Sequence, residues 1–297
     1  MAQRQCLLKI EDEIVMQLHK FDSIDKFWNK TQTYLLQNEA ENNLLLAVVN
    51  TLLHNPERYL DPPYLAMVEI DGEVVVAAIR TPPRKLLLSK ASYLESLTLV
   101  AQDLCREALT GVMGLVPELE TFLQEWQGLT AQSYRLLTEM RIHQLTALQP
   151  SIAANGHLRL VTEKDRALLI EWLPAFDAET GLEVIEDVER IVTNRLNKQD
   201  TYLWEDNNVP VSLAAGMQFS PAAARIGSVY TPPEYRRKGY ATACVAALSQ
   251  QLLDEGCDRC FLLTDLANPT SNHIYRQIGY VPVCDWHEYS ILSQDPA

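Results

Sequence analysis

The sequence lacks the patterns that metal sites and membrane spans require. The six histidines are His19, His54, His143, His157, His273 and His287. They show no H-E-x-x-H or comparable ligand spacing, so no metal is predicted. No apolar run approaches the roughly 20 residues that cross a bilayer, so we expect no membrane association.

Cysteine is also used sparingly. The six cysteines are Cys6, Cys105, Cys244, Cys257, Cys260 and Cys284. They lack dense disulfide spacing and no secretory signal is evident, which predicts a cytoplasmic, reducing setting. Cys257 and Cys260 form one C-x-x-C pair, but no second pair accompanies it and it enters a strand rather than opening a helix. We therefore interpret the pair as structural.

Positive charge is scarce as well. The chain has 25 Lys+Arg against 39 Asp+Glu, a net charge of −14. This balance argues against a broad electrostatic footprint for nucleic acid, and none is predicted as a partner. An acidic surface favours a cationic amine or a basic peptide as partner, although acidity also serves solubility.

Two well-known phosphate-binding patterns are missing. The Walker pattern G-x-x-x-x-G-K-[ST] is absent from the chain, and G-x-G-x-x-G has no match in its basic loop.

What is present is a different strand–loop–helix junction. Arg225–Tyr230 has the β-branched and aromatic content of a strand, and Pro232-Pro233 ends it. Apolar residues then recur at helical spacing from Ala241 to Leu252, which predicts a helix that starts near Gly239 and ends at Gly256.

That junction is suited to an anion such as a pyrophosphate. The first turn of a helix has unpaired N–H groups and partial positive charge. Gly239 removes the side chain that would block an approaching anion, and Arg236, Arg237 and Lys238 add formal charge beside it. A basic surface turn before an ordinary helix is the alternative interpretation.

A second constellation follows in the chain. Phe261–Leu266 predicts a strand, and Asn268, Pro269 and Gly279 supply the N-cap, the first helical residue and the C-terminal stop of a short helix. The predicted helix is Pro269–Ile278.

Together these two segments resemble the GNAT N-acetyltransferase superfamily. Arg236, Gly239 and Ala241 match its acetyl-CoA signature R-x-x-G-x-A, and Asn268–Tyr280 looks like the segment that follows its splayed strands. The resemblance covers residues 158–292 and is strongest from Arg225 to Tyr280. It implies an α/β fold (α+β by some schemes), the acyl-CoA N-acyltransferase fold, with a mixed central sheet flanked by helices. Fold resemblance alone does not establish activity.

The resemblance also implies roles for individual residues. Acetyl-CoA as co-substrate would contact three groups of residues. Its pyrophosphate would lie at the loop of Arg236, Arg237, Lys238, Gly239, Tyr240, Ala241 and Thr242. The strand end Val229, Tyr230 and Thr231 would bind the pantetheine and thioester, and Asn268 and Asn272 would lie along the pantetheine arm. A backbone N–H of the strand end would polarise the thioester carbonyl. Tyr275 would protonate the departing thiolate, since a phenol with a pKa near 10 holds its proton at neutral pH. No general base is assigned among Glu205, Asp206, Glu234 and Asp265.

The chain is long for a single fold of this kind, so two domains are expected, over residues 1–150 and 151–297. Each half is predicted to contain a helix pair, Asp22–Gln37 with Glu39–His54 in the first and Glu163–Trp172 with Glu183–Asn197 in the second. A strand is predicted at Arg141–Leu148. Tyr64–Ala78 and Tyr202–Ala215 both predict a strand, a tight turn and a second strand. Under this alignment the first half is a second, degenerate GNAT-like copy without the basic loop. Further on, Val116–Trp126 is aligned with Asn268–Ile278, and Leu123 then stands where Tyr275 does. Chance similarity between α/β segments is the alternative.

We therefore expect an N-acetyltransferase that transfers an acetyl group from acetyl-CoA to a primary amine of a small molecule or peptide by direct attack. The alternative is a non-catalytic acyl-CoA sensor or interaction module. A nucleotide-binding regulator is disfavoured because the Walker lysine and hydroxyl are absent. The acceptor stays open, and so does the choice between monomer and homodimer.

Overall fold

The computed structural model describes residues 7–10, 14–59, 61–149, 154–181 and 187–292. The chain separates into two compact units. The first unit contains 1–142, 265–267 and 283–297, and the second contains 143–264 and 268–282. The predicted boundary at residues 150 and 151 lies outside the described residues and stays a prediction.

The chain runs through the same order of elements twice. After β1 (Leu7–Ile10) and β2 (Ile14–Lys20), the first pass contains α1 (Ile24–Gln37), α2 (Glu39–His54), β3 (Tyr64–Ile70), β4 (Glu73–Arg80), β5 (Leu86–Leu88), α3 (Leu97–Leu104), β6 (Gly111–Leu115), α4 (Val116–Thr130) and β7 (Tyr134–Leu145). After β8 (His157–Leu160), the second contains α5 (Arg166–Thr180), α6 (Val188–Lys198), β9 (Thr201–Asp206), β10 (Val209–Ser220), β11 (Ala223–Tyr230), α7 (Tyr240–Asp254), β12 (Arg259–Asp265), α8 (Pro269–Ile278) and β13 (Val281–Ile291). A helix pair, a hairpin and alternating strands and helices thus recur.

The sheet of the first unit has the order β1-β2-β3-β4-β5-β6-β13. Its neighbours are antiparallel except β5 and β6, which pair in parallel at Leu86↔Val112 and Leu87↔Met113. The C-terminal strand therefore completes the sheet of the first unit, where Trp286 lies opposite Leu115.

The sheet of the second unit has the order β12-β11-β10-β9-β8. β11 and β12 run parallel, and the other neighbours are antiparallel. This is the same mixed arrangement as in the first unit, in which one parallel pair follows an antiparallel hairpin.

Each unit has its own apolar core. In the first unit α3 and α4 pack on the sheet through a cluster that includes Val100, Leu104, Leu119, Phe122 and Trp126. In the second unit α7 contributes Cys244, Val245, Leu248 and Leu252, which are the buried members of the helical stripe predicted from the sequence. A further cluster packs α5 and α6 on the sheet through Leu169, Trp172, Val192, Leu213 and Tyr230.

Local signals explain several boundaries. In α8 the Asn268 carboxamide oxygen accepts from the Ser271 N–H at 3.1 Å, and Gly279 ends the helix with φ +114°. The β3–β4 hairpin turns at Asp71 and Gly72, both with positive φ, because such turns match the twist of paired strands. The predicted helices Pro269–Ile278 and Glu39–His54 are confirmed, residue for residue.

Other boundaries differ from the prediction. The expected helix Glu163–Trp172 is a short 3-10 turn followed by α5, which continues to Thr180 across Pro174. Burial of Leu169, Trp172 and Leu173 offsets the backbone hydrogen bond that a proline removes. The expected helix Glu183–Asn197 begins partly outside the described residues, and α6 starts at Val188. The strand expected at Arg141–Leu148 starts earlier, at Tyr134.

Candidate functional site

Two neighbouring strands of the second unit part from each other. β11 and β12 share the ladder pairs Ala223↔Arg259, Ala224↔Cys260 and Arg225↔Phe261, and among the described residues their ladder goes no further. β11 nevertheless continues to Tyr230. Beside the last five residues of β11 the ladder with β12 has ended, and we call the space between the two strands there the cleft.

The loop at the mouth of this cleft leads into a helix whose N-terminus has no side-chain cap. It runs from Tyr230 through a 3-10 turn, Pro233–Tyr235, to Gly239, the N-cap of α7. Gly239 has φ +83°, and a Cβ built on it meets only the Ala154 side chain, at 3.8 Å. The first-turn N–H groups of α7 have no intrahelical acceptor, and glycine offers no side chain to cap them. The predicted loop residues thus surround a helix N-terminus open to an anionic ligand.

The three basic side chains of the loop have different surroundings. Arg236 donates from Nη2 to both carboxylate oxygens of Glu179, at 2.6 and 2.7 Å, and from Nε to the Thr231 carbonyl at 2.9 Å. Lys238 lies over the Tyr235 ring, with Nζ 5.6 Å from its centroid. Arg237 is exposed and has φ +61°. Positive charge is concentrated at the mouth of the cleft, and Glu179 pairs with one of these three side chains, Arg236.

The strand end at Val229, Tyr230 and Thr231 is fixed from the neighbouring strand. The buried Ser212 hydroxyl lies 3.1 Å from the Tyr230 carbonyl, to which it donates, and 2.9 Å from the Thr231 hydroxyl. The Tyr230 ring packs edge-on against Trp172 at 5.9 Å between centroids. These contacts restrict the backbone where an acyl group is expected.

Tyr275 lies in α8 and is almost completely buried. Its ring meets Tyr280 edge-on at 5.9 Å, and no hydrogen bond joins its hydroxyl to another described residue. Burial, with a smaller effect of the nearby Cys244 thiol, raises the pKa of Tyr275 to about 12. The phenol therefore keeps its proton throughout the neutral range.

Asn268 and Asn272 are both engaged within the strand–helix junction. Asn268 caps α8, while Asn272 accepts from the Thr264 hydroxyl at 2.5 Å and donates to the Asn268 carbonyl at 2.9 Å. Their side chains hold the start of α8 against the end of β12. Contact with a pantetheine arm stays a prediction for both.

The carboxylates considered as general bases differ in availability. Glu205 is paired with Arg159, and Asp206 accepts from the Tyr240 hydroxyl at 2.6 Å. Asp265 accepts from the Ala267 N–H at 2.7 Å. Glu234 is exposed in the loop. Glu205 and Asp206 are thus held in structural hydrogen bonds. No general base is assigned.

The corresponding strand end of the first unit is closed by its own side chains. After β5, the Lys90 N–H donates to Asn42 Oδ1 and the Ala91 N–H to Glu118 Oε1, both at 2.9 Å. Glu118 is buried, and desolvation raises its carboxyl pKa. Leu123, aligned with Tyr275 from the sequence, lies in the apolar core. The first unit thus pairs these N–H groups with its own side chains, whereas in the second unit the ladder beside the end of β11 has ended.

The comparisons with known proteins agree with this geometry. The model of the Acetyltransferase (GNAT) family matches residues 166–280, which include the basic loop and α8. The chain is therefore similar to the GNAT family over these residues. The family assignment supports acyl transfer as the general class of chemistry. No curated protein matches the sequence.

Solved structures extend the likeness to both halves. A tandem GNAT protein from the clavulanic acid biosynthesis pathway is 10% identical, with a TM-score of 0.56, and the match covers 95% of this chain and 100% of that protein. A GNAT-family acetyltransferase from Colwellia psychrerythraea is 11% identical, with a TM-score of 0.54 and coverage of 92% and 98%. A Drosophila protein is 10% identical, with a TM-score of 0.66 and coverage of 93% and 98%. At these identities the likeness concerns the fold, and the predicted tandem GNAT fold is confirmed.

Two further features are missing from the described part of the chain. None of its helices combines the length and the apolar character that a membrane crossing needs. Nor do its histidines, cysteines and carboxylates gather in groups of three or more suited to a metal ion.

Some residues around the cleft were not found from the sequence. Ser228, next to the strand end, has φ +50° and bonds to Arg195 of α6. Glu179 bonds to the loop from the end of α5. Gly227 beside Ser228 was a possible signal of a bulge. The partners Arg195 and Glu179 lie far away in the sequence, and no local pattern indicates them.

Proposed function

We propose that the protein transfers an acetyl group from acetyl-CoA to a primary amine of a small molecule or peptide. The single observation that carries the proposal is the open N-terminus of α7 at Gly239, placed directly beside the parting strands β11 and β12. A helix N-terminus favours a pyrophosphate, and a cleft with exposed backbone favours an amide-containing arm.

The residues present fit acetyl-CoA. Gly239 leaves open the space that a larger side chain would fill, and Arg236, Arg237 and Lys238 supply positive charge in an otherwise acidic protein. The backbone of Val229, Tyr230 and Thr231 would bind the pantetheine end. Bound acetyl-CoA supplies the activated thioester, whose carbonyl carbon the amine attacks.

The protein contributes orientation and one proton. Direct attack forms the amide bond and breaks the carbon–sulfur bond. The amine releases one proton to solvent and the thiolate gains one, so the products are the amide and the CoA thiol. Tyr275 is protonated at neutral pH and has a hydroxyl without a partner among the described residues, so it is the proposed donor to sulfur. A phenol with a raised pKa transfers its proton as charge develops on sulfur.

The setting is consistent with a reducing compartment. The five described cysteines are all free thiols, and Cys244, Cys257 and Cys260 are buried. We propose a cytoplasmic location, as expected from the sequence.

The proposal is tested by measuring CoA release from acetyl-CoA with a panel of primary amines, with Tyr275→Phe alongside. Amine-dependent release that falls strongly in the variant supports transfer with Tyr275 as the acid. The hydrogen bonds that occupy Glu205 and Asp206 favour the second candidate, a non-catalytic acyl-CoA sensor. Acetyl-CoA binding without release for any amine supports that candidate.

A further inference from the structure

β11 contains an irregularity directly before the strand end. Leu213 pairs with Tyr230 and Ala215 with Gly227, so β11 advances three residues while β10 advances two. This is a β-bulge, and it leaves Ser228 and Val229 without pairing partners on β10. Such bulges redirect the backbone at functional sites.

The bulge needs an unusual backbone conformation. Ser228 has φ +50°, in the left-handed region that glycine occupies at no steric penalty. A side-chain-bearing residue stays there only where its surroundings determine the conformation. Glycine stands one position earlier, at Gly227, so the strain falls on Ser228 itself.

One side chain supplies the restraint. Arg195, in the last turn of α6, donates from Nη2 to Ser228 Oγ at 2.9 Å, and its Nη1 lies 3.6 Å from Asp200 Oδ1. Both Arg195 and Asp200 are largely buried. A rigid guanidinium held on two sides is a precise anchor, because its planar fork fixes the direction of each hydrogen bond.

We propose that Arg195 is a positioning residue for acyl transfer. By holding Ser228 in the left-handed conformation, it directs the backbone N–H of Val229, the next residue of the bulge, toward the thioester carbonyl. Ser212 fixes the other side of the same segment through the Tyr230 carbonyl. This inference rests on the proposed function and assigns a role to α6, an element without a recognised motif.

The contact between the Val229 N–H and the thioester carbonyl can be measured without knowing the amine acceptor. Acetyl-CoA and CoA differ by the acetyl group, so the ratio of their calorimetric affinities reports contacts made to that group. We expect the wild type to prefer acetyl-CoA by about fivefold, as one net hydrogen bond would give. Arg195→Gln should bring the ratio close to one while CoA affinity stays within about twofold.

Arg166→Gln is the matched control. Arg166 also anchors α6, through Thr193 Oγ1 at 3.0 Å and Glu189 at 3.4 Å, but these contacts do not involve β11. Arg166→Gln should keep the wild-type ratio of acetyl-CoA affinity to CoA affinity. The double variant Arg195→Gln/Ser228→Gly should recover the preference, because glycine adopts the left-handed conformation without a guanidinium. If Arg195→Gln does not fold, Ser228→Ala should lower the ratio in its place.

The outcomes separate the two levels of the proposal. Failure of the wild type to bind acetyl-CoA or CoA contradicts the proposed function itself. If the wild type binds acetyl-CoA and CoA with equal affinity, the positioning role is contradicted and the cofactor site stays in place. The same holds if Arg195→Gln weakens the binding of both ligands equally. An unchanged preference in Arg195→Gln also contradicts the positioning role.

Discussion

Arg236 and Glu179 form a two-oxygen ion pair at the mouth of the cleft, with Arg236 Nη2 at 2.6 and 2.7 Å from the carboxylate oxygens. The pair links the basic loop to the end of α5. Both side chains are more than 40% exposed, so the pair itself adds little stability. Its consequence concerns the proposed cofactor site, because a bound pyrophosphate would compete with Glu179 for the same guanidinium.

Glu179→Gln should therefore strengthen CoA binding. Removal of the competing charge frees Arg236, and we expect a gain of about two- to fivefold at low salt, consistent with an exposed ion pair. The gain should shrink as the salt concentration rises. Glu171→Gln, a neutralised carboxylate on the same helix, is the control, and isothermal titration calorimetry is the measurement. Equal effects of both variants would show that only overall charge matters.

Tyr275→Phe should lower kcat by about a hundredfold and leave acetyl-CoA affinity unchanged, because it removes a proton donor and retains the ring. Since the pKa of Tyr275 is raised to about 12, the wild-type rate should show no loss from this phenol between pH 7 and 10. Tyr280→Phe is the control, since its buried hydroxyl bonds to Ser249 at 2.9 Å and lies outside the proposed chemistry. A Tyr275→Phe variant with wild-type kcat would exclude the assigned role.

The second unit should lose stability in alkaline solution. Burial raises the pKa of Cys244 from 9.0 to about 12 and that of Tyr275 from 10.0 to about 12. The unfolded chain releases these protons first, so stability is fully present below about pH 9 and is lost as pH rises toward 12. Cys244→Ala should flatten this pH dependence in urea unfolding between pH 8 and 11, and Cys105→Ala, in the first unit, should not. If the free energy of unfolding depends on pH in the same way in the wild type and in Cys244→Ala, the raised pKa of Cys244 is contradicted.

The first unit should bind no second acetyl-CoA. Its strand-end N–H groups already donate to Asn42 and Glu118, so the expected calorimetric stoichiometry is one per chain. Glu118→Ala would leave the Ala91 N–H unpaired and should cost about 1–3 kcal/mol of unfolding free energy. Glu118→Gln keeps an acceptor and should cost less. Two equivalent sites per chain would overturn this account.

Local signals made much of the fold predictable. Asn268, Pro269 and Gly279 define α8 because capping and termination depend on neighbouring residues. The continuation of α5 past Pro174 was missed, because tertiary packing overrides a local helix breaker there.

The candidate site was predictable to a similar extent. The loop at Gly239 follows from its composition and from the periodicity of α7. The contacts of Arg195 with Ser228 and of Glu118 with Ala91 were not predictable, because they join residues far apart in the sequence. Pairing of the base candidates Glu205 and Asp206 depends on such contacts as well.

The central claim is an acetyl-CoA site at the N-terminus of α7, and calorimetric titration of acetyl-CoA, CoA and ATP tests it most directly. Gly239→Glu and Gly256→Glu form a matched pair, since both glycines have positive φ, at +83° and +109°, and lie at opposite ends of the same helix. We predict micromolar binding of acetyl-CoA and CoA, weaker ATP binding, loss of CoA binding in Gly239→Glu and retention in Gly256→Glu. Folded wild-type protein that binds no acetyl-CoA, or a Gly239→Glu variant that binds it normally, would contradict the account.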